Sequence, residues 1–155
     1  MEQRLRLYTF CPDGCSVLTH KVAQPVNSTN VVRAGDAVDD DRARKRPRAS
    51  CGQERGERCT SVLVREVMSD DFGLFTWPSA VVLASLVWFH RQRFPGATVA
   101  EIGAGTALPG LLAAKLGARV LFMDREGAPE VQENIRHALR LNGLPDPDGA
   151  LLDEE

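Results

Sequence analysis

The sequence predicts an α/β fold in which helices flank a parallel sheet, preceded by a largely disordered arm. Two short apolar runs, 98–102 and 118–123, are each followed by a segment with helical signals. Alternation of strand and helix is typical of parallel sheets. A glycine turn follows the first run directly, at the sheet edge where such folds bind ligands. These observations define the fold class and place a candidate site.

Bulk composition is ordinary for a globular domain. Of the 155 residues, 43% are hydrophobic and 26% are charged, and the net charge is −2. This balance favours neither nucleic acids nor membranes as partners. The N-terminus has no secretory signal pattern, and the most apolar stretch, 79–89, is well short of the roughly 20 residues that span a bilayer. We therefore expect a soluble, intracellular protein.

Residues 1–61 show no sustained helical or strand periodicity and carry blocks of opposite charge. An acidic cluster at 36–41 precedes Arg42–Arg48, RARKRPR, in which five of seven residues are basic. We expect this arm to be disordered or weakly ordered. The basic cluster is typical of a nuclear-import signal or a phosphate-binding patch, and a solvated charge run is the alternative.

All four cysteines lie within this arm: Cys11, Cys15, Cys51 and Cys59. Without a secretory signal, free thiols are expected. Cys11 and Cys15 with nearby His20 resemble half of a zinc site, but the spacing of Cys51 and Cys59 fits no common second half. We therefore expect no metal site.

The regular part of the chain begins near Val62. SVLVREV, residues 61–67, has the β-branched content of a short strand, at an edge or leading into the fold. Pro78 suits the first position of a helix. The helix over 79–89 is apolar except for its serines, so we expect it to be buried on most sides.

The remaining elements form a strand–helix–strand–helix unit. Thr98–Ile102 is expected to be a buried parallel strand. Pro109 opens the next helix, Gly117 suits its C-cap, and the second buried strand ends at Asp124. Asn142–Gly143 ends the last helix. The predicted buried face of that helix consists of Val131, Ile135, Ala138 and Leu139.

The glycine turn excludes two common nucleotide sites. Glu101-Ile-Gly-Ala-Gly105 is not followed by Gly-Lys-Ser/Thr, so it is not a P-loop. A dinucleotide fingerprint needs a glycine three residues after Gly105, where Leu108 stands. Asp124, at the end of the next strand, can accept hydrogen bonds from both hydroxyls of a ribose.

Glu101 adds a second negative charge, which disfavours a pyrophosphate and suits an ammonium group. S-adenosyl-L-methionine carries an ammonium, a sulfonium and a ribose, so it is the cofactor that this pattern predicts. The alternative is a strand–helix–strand unit whose glycines serve only tight turns, with Glu101 and Asp124 solvated at the strand ends.

Two segments carry a family resemblance: FTWPSAVVLASLVWFH, residues 75–90, and EIGAGTALPGLLAAKLGARVLFMD, residues 101–124. They resemble the family-16 branch of the seven-strand S-adenosylmethionine-dependent methyltransferases, over roughly 62–145. The more discriminating pieces are Trp77–Ala80 and Glu101–Gly110. The resemblance implies the N-terminal part of a Rossmann-like seven-strand sheet.

The resemblance also implies roles for matching residues. Glu101 would help to hold the methionine end of the cofactor, the backbones of Gly103 and Gly105 would line it, and Asp124 would bind the ribose. Trp77 would lie beside the pocket, with a core aromatic at the helix start as the alternative. Family members modify lysine or arginine side chains of proteins. The nearest resemblance favours arginine, with histones as the protein substrate, in nucleus and cytoplasm.

Three features depart from the family pattern. Ala107 stands where glycine or serine is usual, and Thr76 stands where an aliphatic residue is usual. The third is length: a seven-strand sheet with six helices needs about 160 residues, and the stretch from Asp70 to the last residue is roughly half as long. Residues 146–155 form an acidic tail that is unsuited to a third strand.

We therefore expect three regions: the arm at 1–61, a partial cofactor-binding domain at 62–145, and the tail at 146–155. This predicts a truncated, catalytically incomplete methyltransferase with no catalytic residue of its own; His90 and His137 are expected at the surface. The alternative is a non-catalytic fragment, either a binding or regulatory piece or an unstable isoform, whose exposed sheet edge recruits partners.

Overall fold

The computed structural model describes residues 2–12, 18–22, 59–68 and 74–145. Strands β1 to β5 and helices α1 to α3 are numbered in chain order. They are β1 (Glu2–Phe10), β2 (Leu18–Val22), β3 (Thr60–Met68), α1 (Pro78–Phe89), β4 (Thr98–Ile102), α2 (Leu108–Lys115), β5 (Arg119–Met123) and α3 (Pro129–Leu141), with a 3₁₀ turn at Arg91–Arg93. No helix of the described residues is long and apolar enough to cross a membrane.

An antiparallel sheet occupies the N-terminal part, in the order β2-β1-β3. β1 pairs with β3 over its whole length, from Glu2 opposite Met68 to Phe10 opposite Thr60. The expectation of a disordered or weakly ordered arm is therefore wrong for β1 and β2, because β1 finds its partner far along the chain. The acidic and basic clusters of the arm lie outside the described residues. The predicted strand at 61–67 is confirmed as β3, at the edge of this sheet.

A disulfide joins Cys11 and Cys59, which are 48 positions apart in sequence. The expectation of free thiols is wrong for these two residues. Their Cα atoms lie 4.3 Å apart because the pairing of β1 with β3 brings the end of one strand to the start of the other. Cys15 and Cys51 lie outside the described residues.

Two asparagines, one within α3 and one directly after it, cover the outer edge of β3. Asn142 accepts a hydrogen bond from the amide of Leu63 at 2.9 Å and donates to the carbonyl of Leu63. Asn134 donates to the carbonyl of Arg65 at 3.1 Å and accepts from the Arg65 guanidinium. These side chains satisfy backbone groups that a neighbouring strand would otherwise pair.

The predicted strand–helix–strand–helix unit is confirmed. β4 and β5 are parallel and in register, with Thr98 opposite Arg119 and Ile102 opposite Met123. The predicted face of α3 is buried, and it joins residues of the antiparallel sheet and of α2 in one core. The core members of the sheet and of α2 include Tyr8, Phe10, Val62, Val64, Leu108, Leu111 and Leu112.

The predicted burial of α1, β4 and β5 is wrong for most of their residues; in β5, Phe122 is the one buried residue. α1 begins at Pro78 as expected, but Ala84 is its one buried residue, and Val82 and Phe89 are 62% and 74% exposed. Ile102 of β4 is 83% exposed. A helix that is apolar on all sides is normally surrounded by other parts of the protein. The described residues supply two parallel strands, so parts of α1 and β4 are left without cover.

Candidate functional site

A cavity of about 460 Å³ lies between the start of α1 and the carboxyl end of β4. This volume is in the range of small-molecule sites. Four of the five residues predicted for cofactor binding line it: Trp77, Glu101, Gly103 and Gly105. The fifth, Asp124, is linked to the cavity wall by a hydrogen bond to Gly105. The structure thus brings the predicted residues together.

The turn after β4 has left-handed backbone at three positions. Gly103, Gly105 and Ala107 have φ values of 68°, 51° and 58°. Nothing lies within 4 Å of the point where a Cβ of Gly103 would stand, so the backbone there is open to a ligand. Ala107 is buried and adopts this conformation with a side chain, which costs about 1–2 kcal/mol. This explains why glycine suits that position in the family pattern.

The carboxylate of Glu101 reaches across to the first turn of α2. Its Oε2 accepts a hydrogen bond from the amide of Gly110 at 2.8 Å. No side chain at the helix start makes this contact, since the N-cap residue is Ala107. Glu101 therefore satisfies one of the free amides at the helix N-terminus and lies at the positive end of the helix dipole.

Gly110 allows this contact because it has no Cβ. A Cβ built there would collide with Glu101 Oε2 and with the ring of Phe122. The close approach buries the carboxylate, and this burial is the main reason why the pKa of Glu101 rises from 4.5 to about 7. The hydrogen bond from Gly110 opposes the rise, and the charge of Asp124 adds to it.

Asp124 joins the end of β5 to the glycine turn. Its Oδ2 accepts from the Gly105 amide at 2.7 Å, and its Oδ1 accepts from the Arg125 amide at 2.8 Å. A carboxylate has about four acceptor positions, so these two bonds leave capacity for hydroxyl donors.

Trp77 stands at the N-cap of α1, where its backbone is extended. Its ring meets that of Phe75 edge to face, with 6.1 Å between centroids. Trp77 is 49% exposed, so the alternative of a core aromatic is wrong. Both rings line the cavity and offer aromatic surface to a ligand.

Sequence reasoning missed a buried carboxylate close to this site. Glu66 of β3 is fully buried; its Oε2 pairs with Arg6 Nε at 2.7 Å, and its Oε1 accepts from the amide of Thr76 at 3.2 Å. A lone acid in SVLVREV indicates a solvent-facing position. The signal that could have found it is the alternation of arginines with apolar residues in β1, whose Arg6 supplies the partner.

The two histidines that were expected at the surface do not line the cavity. His90 is exposed at the end of α1, against the ring of Phe89. His137 lies in α3, where burial, followed by the charges of Arg65 and Arg140, lowers its pKa. Among the described residues that line the cavity, Glu101 is the one with an ionisable side chain.

A glycine turn and two carboxylates at the carboxyl ends of parallel strands are typical of sites for nucleoside-containing ligands. The methyltransferase family-16 model, described as lysine methyltransferase, matches residues 58–146. The chain therefore belongs to this family.

The similar proteins are themselves protein methyltransferases. Histone-arginine methyltransferase METTL23 of Mus musculus is 45% identical over 84 residues, which is 54% of this chain and 33% of that protein. METTL23 of Homo sapiens is 49% identical over 72 residues, 46% of this chain and 38% of that protein. Protein-lysine methyltransferase METTL21E of Mus musculus is 39% identical over 75 residues, 47% of this chain and 30% of that protein. The family resemblance expected from the sequence is thus confirmed, with METTL23 proteins among the similar ones, and the chain spans about a third of the length of these relatives.

Proposed function

We propose that this chain binds S-adenosyl-L-methionine and is part of a protein methyltransferase that acts on lysine or arginine side chains. The observation that carries the proposal is the arrangement of the glycine turn between two strand-end carboxylates, Glu101 and Asp124. The METTL23 relatives are named histone-arginine methyltransferases, which favours arginine in histones as the substrate.

The residues present fit this cofactor. The open backbone at Gly103 admits a ligand at van der Waals distance. Glu101 offers a negative charge inside the cavity for an ammonium group, and Asp124 retains acceptor positions for ribose hydroxyls. The rings of Phe75 and Trp77 can stabilise a cation such as a sulfonium.

When bound, the cofactor supplies an electrophilic methyl group for a substrate nitrogen. The chain's own residues bind and orient it: Glu101 neutralises its positive charge, Asp124 fixes the sugar, and the glycine turn sets how close the backbone comes. Positioning of this kind lowers the barrier by removing the entropy cost of bringing reactants together.

We further propose that this chain alone does not complete methyl transfer. A substrate nitrogen must lose a proton, and Glu101, the one ionisable group lining the described cavity, is committed to the cofactor and to Gly110. One observation supports the alternative function, a binding or regulatory piece: α1 exposes apolar side chains that could contact a partner. They include Val82, Leu83, Leu86 and Phe89.

Calorimetric titration of the full chain with S-adenosylhomocysteine tests the cofactor site. We expect weak but saturable binding that is lost in Glu101→Ala; absence of binding at millimolar ligand would contradict the site. A second assay incubates the chain with labelled S-adenosylmethionine and histones. Label transferred to histone by this chain alone would overturn the proposed incompleteness.

We propose nucleus and cytoplasm as the location, on the basis of the basic cluster at 42–48. A reporter fused to residues 36–50 should accumulate in nuclei, and a version with the basic residues changed to alanine should not. An even distribution of both fusions would argue against import.

A further inference from the structure

A buried polar chain connects the antiparallel sheet to the cofactor cavity. It begins at Arg6 of β1, passes through Glu66 of β3, and reaches the backbone amide of Thr76. The hydroxyl of Thr76 then shares a hydrogen bond of 3.0 Å with the hydroxyl of Thr106. Glu66, Thr76 and Thr106 are 0%, 4% and 3% exposed, so the contacts from Glu66 onward are closed to water, whereas the side chain of Arg6 is partly exposed.

Thr106 lines the cavity itself, and Thr76 lies next to residues that line it. Thr76 is flanked by Phe75 and Trp77, which supply its aromatic wall, and Thr106 directly follows Gly105 of the glycine turn. The hydroxyl pair therefore fixes the distance between the aromatic wall and the turn. Apart from the covalent chain, it is a direct link between these two walls of the cavity.

Glu66 is the anchor of this link. Its two carboxylate oxygens hold different segments, Oε2 the side chain of Arg6 and Oε1 the amide of Thr76. Tyr8 is also buried, and this burial raises the pKa of its phenol; Thr76 opposes the rise and the charge of Glu66 adds to it. A fully buried carboxylate persists when it is paired and hydrogen-bonded, as here.

We infer that Glu66 and Thr76 are positioning residues that act through Thr106 of the cavity wall, and that they set the affinity of the cavity for the cofactor by holding Trp77 against the glycine turn. This inference rests on the proposed function and extends it to the antiparallel sheet. No residue of β1 or β3 lines the cavity. The two strands nevertheless supply Arg6 and Glu66, and Glu66 fixes the position of Thr76.

A network that served stability alone would behave differently. Its loss would lower the free energy of unfolding and leave the affinity of the folded chain unchanged. The chain offers a matched control: the hydroxyls of Thr9 and Ser61 also share a hydrogen bond of 3.0 Å, between the same two strands and away from the cavity.

The test compares Thr76→Val, Thr106→Val and the double variant with Thr9→Val. Valine keeps the shape of threonine and removes the hydroxyl. For the full chain, titration with S-adenosylhomocysteine gives the affinity, and denaturation confirms that each variant is folded. We expect each single variant at the cavity to bind about 10-fold more weakly, the double variant to add little, and Thr9→Val to bind as the wild type does.

Conservative variants provide rescue. Thr76→Ser retains the hydroxyl and should bind within about 2-fold of the wild type. Glu66→Gln retains an acceptor for the Thr76 amide and loses the charge that holds Arg6, so an intermediate loss is expected. Wild-type affinity in a folded Thr76→Val variant would overturn the inference and leave the proposed function intact.

A readout without ligand separates the two proposals further. Amide hydrogen exchange at residues 104–107 should be faster in Thr76→Val than in the wild type, and unchanged in Thr9→Val. Equal exchange in all three proteins would overturn the positioning role. Failure of the wild type to bind S-adenosylhomocysteine would overturn the proposed function and, with it, the assignment to affinity.

Discussion

Asp124, directly after β5, accepts a hydrogen bond at 2.7 Å from the amide of Gly105 in the turn that follows β4. The residue assigned to the ribose therefore also holds the turn that the cofactor would approach. Asp124→Ala should weaken S-adenosylhomocysteine binding at least 10-fold, since a charged acceptor and an ordered turn are lost together. Calorimetric titration measures the effect.

Glu133→Ala is the matched control for this variant. Glu133 is an exposed carboxylate that pairs with Arg140 on the surface of α3 and does not line the cavity. Its removal should leave the affinity unchanged. A similar loss in both variants would show that net charge, and not the position of Asp124, governs binding.

The raised pKa of Glu101 predicts a pH dependence of stability. Between pH 4.5 and about 7 the folded chain holds a proton that the unfolded chain has released. The stability linked to this group is therefore fully present below pH 4.5 and is lost as pH rises through about 7. The loss should be about 1–3 kcal/mol, measured by denaturation at pH 5 and pH 8.

Cofactor affinity should change in the opposite direction. A cationic ligand needs the charged form of Glu101, so binding should strengthen as pH rises through about 7. Glu101→Gln keeps an acceptor for the Gly110 amide but cannot ionise, and it should flatten both profiles. If the profiles of this variant matched those of the wild type, another group would be responsible.

Gly110→Ala should destabilise the fold, although alanine in a helix is normally preferred to glycine by about 1 kcal/mol. The added methyl group would collide with Glu101 Oε2 and with Phe122. We expect a loss of about 1–3 kcal/mol in denaturation, and weaker cofactor binding. Adding Phe122→Leu should recover part of the stability if the collision is the cause; a stabilised single variant would refute it.

Asn142→Ala should lower stability by about 2–3 kcal/mol. The side chain makes three hydrogen bonds, two to the backbone of Leu63 and one to the carbonyl of Ala138, and each contributes about 1 kcal/mol. Arg140→Ala, which removes a surface ion pair, should cost less than about 1 kcal/mol. Equal costs in urea denaturation would mean that the edge of β3 does not depend on Asn142.

Reducing agent should lower the stability of the wild-type chain. The disulfide between Cys11 and Cys59 closes a loop across 48 positions, and such a loop stabilises by about 3–4 kcal/mol through the unfolded chain. Thermal unfolding with and without dithiothreitol measures this. The double variant Cys11→Ser/Cys59→Ser should show no response, and a response in that variant would assign the effect to other thiols.

Local patterns were enough to predict the parallel unit and to select residues that the structure brings together around one cavity. Pro78, Pro109 and Gly143 mark helix ends through their own backbone preferences, so neighbouring residues alone determine them. The spacing of Val131 and Ile135 gives the buried face of α3 for the same reason. The glycine turn and Asp124 are close in sequence and are joined by a single helix.

Long-range pairing could not be predicted in this way. β1 was not predicted, because its ordered state depends on pairing with β3, which lies far along the chain. The burial of Glu66 depends on Arg6 across that pairing. The exposure of α1 depends on which other elements pack against it, and this cannot be read from the sequence of the helix itself.

Because Gly110 has no side chain, Glu101 and Phe122 can pack against it, so the residues allowed at these three positions depend on one another. Any larger residue there requires a smaller side chain at Phe122 or a different rotamer at Glu101, and the change at Glu101 moves the carboxylate that lines the cavity. Substitutions at these positions are therefore tolerated in some orders and not in others. Replacement of Gly110 during evolution therefore requires an earlier change at Glu101 or Phe122; without it, ligand binding would be lost.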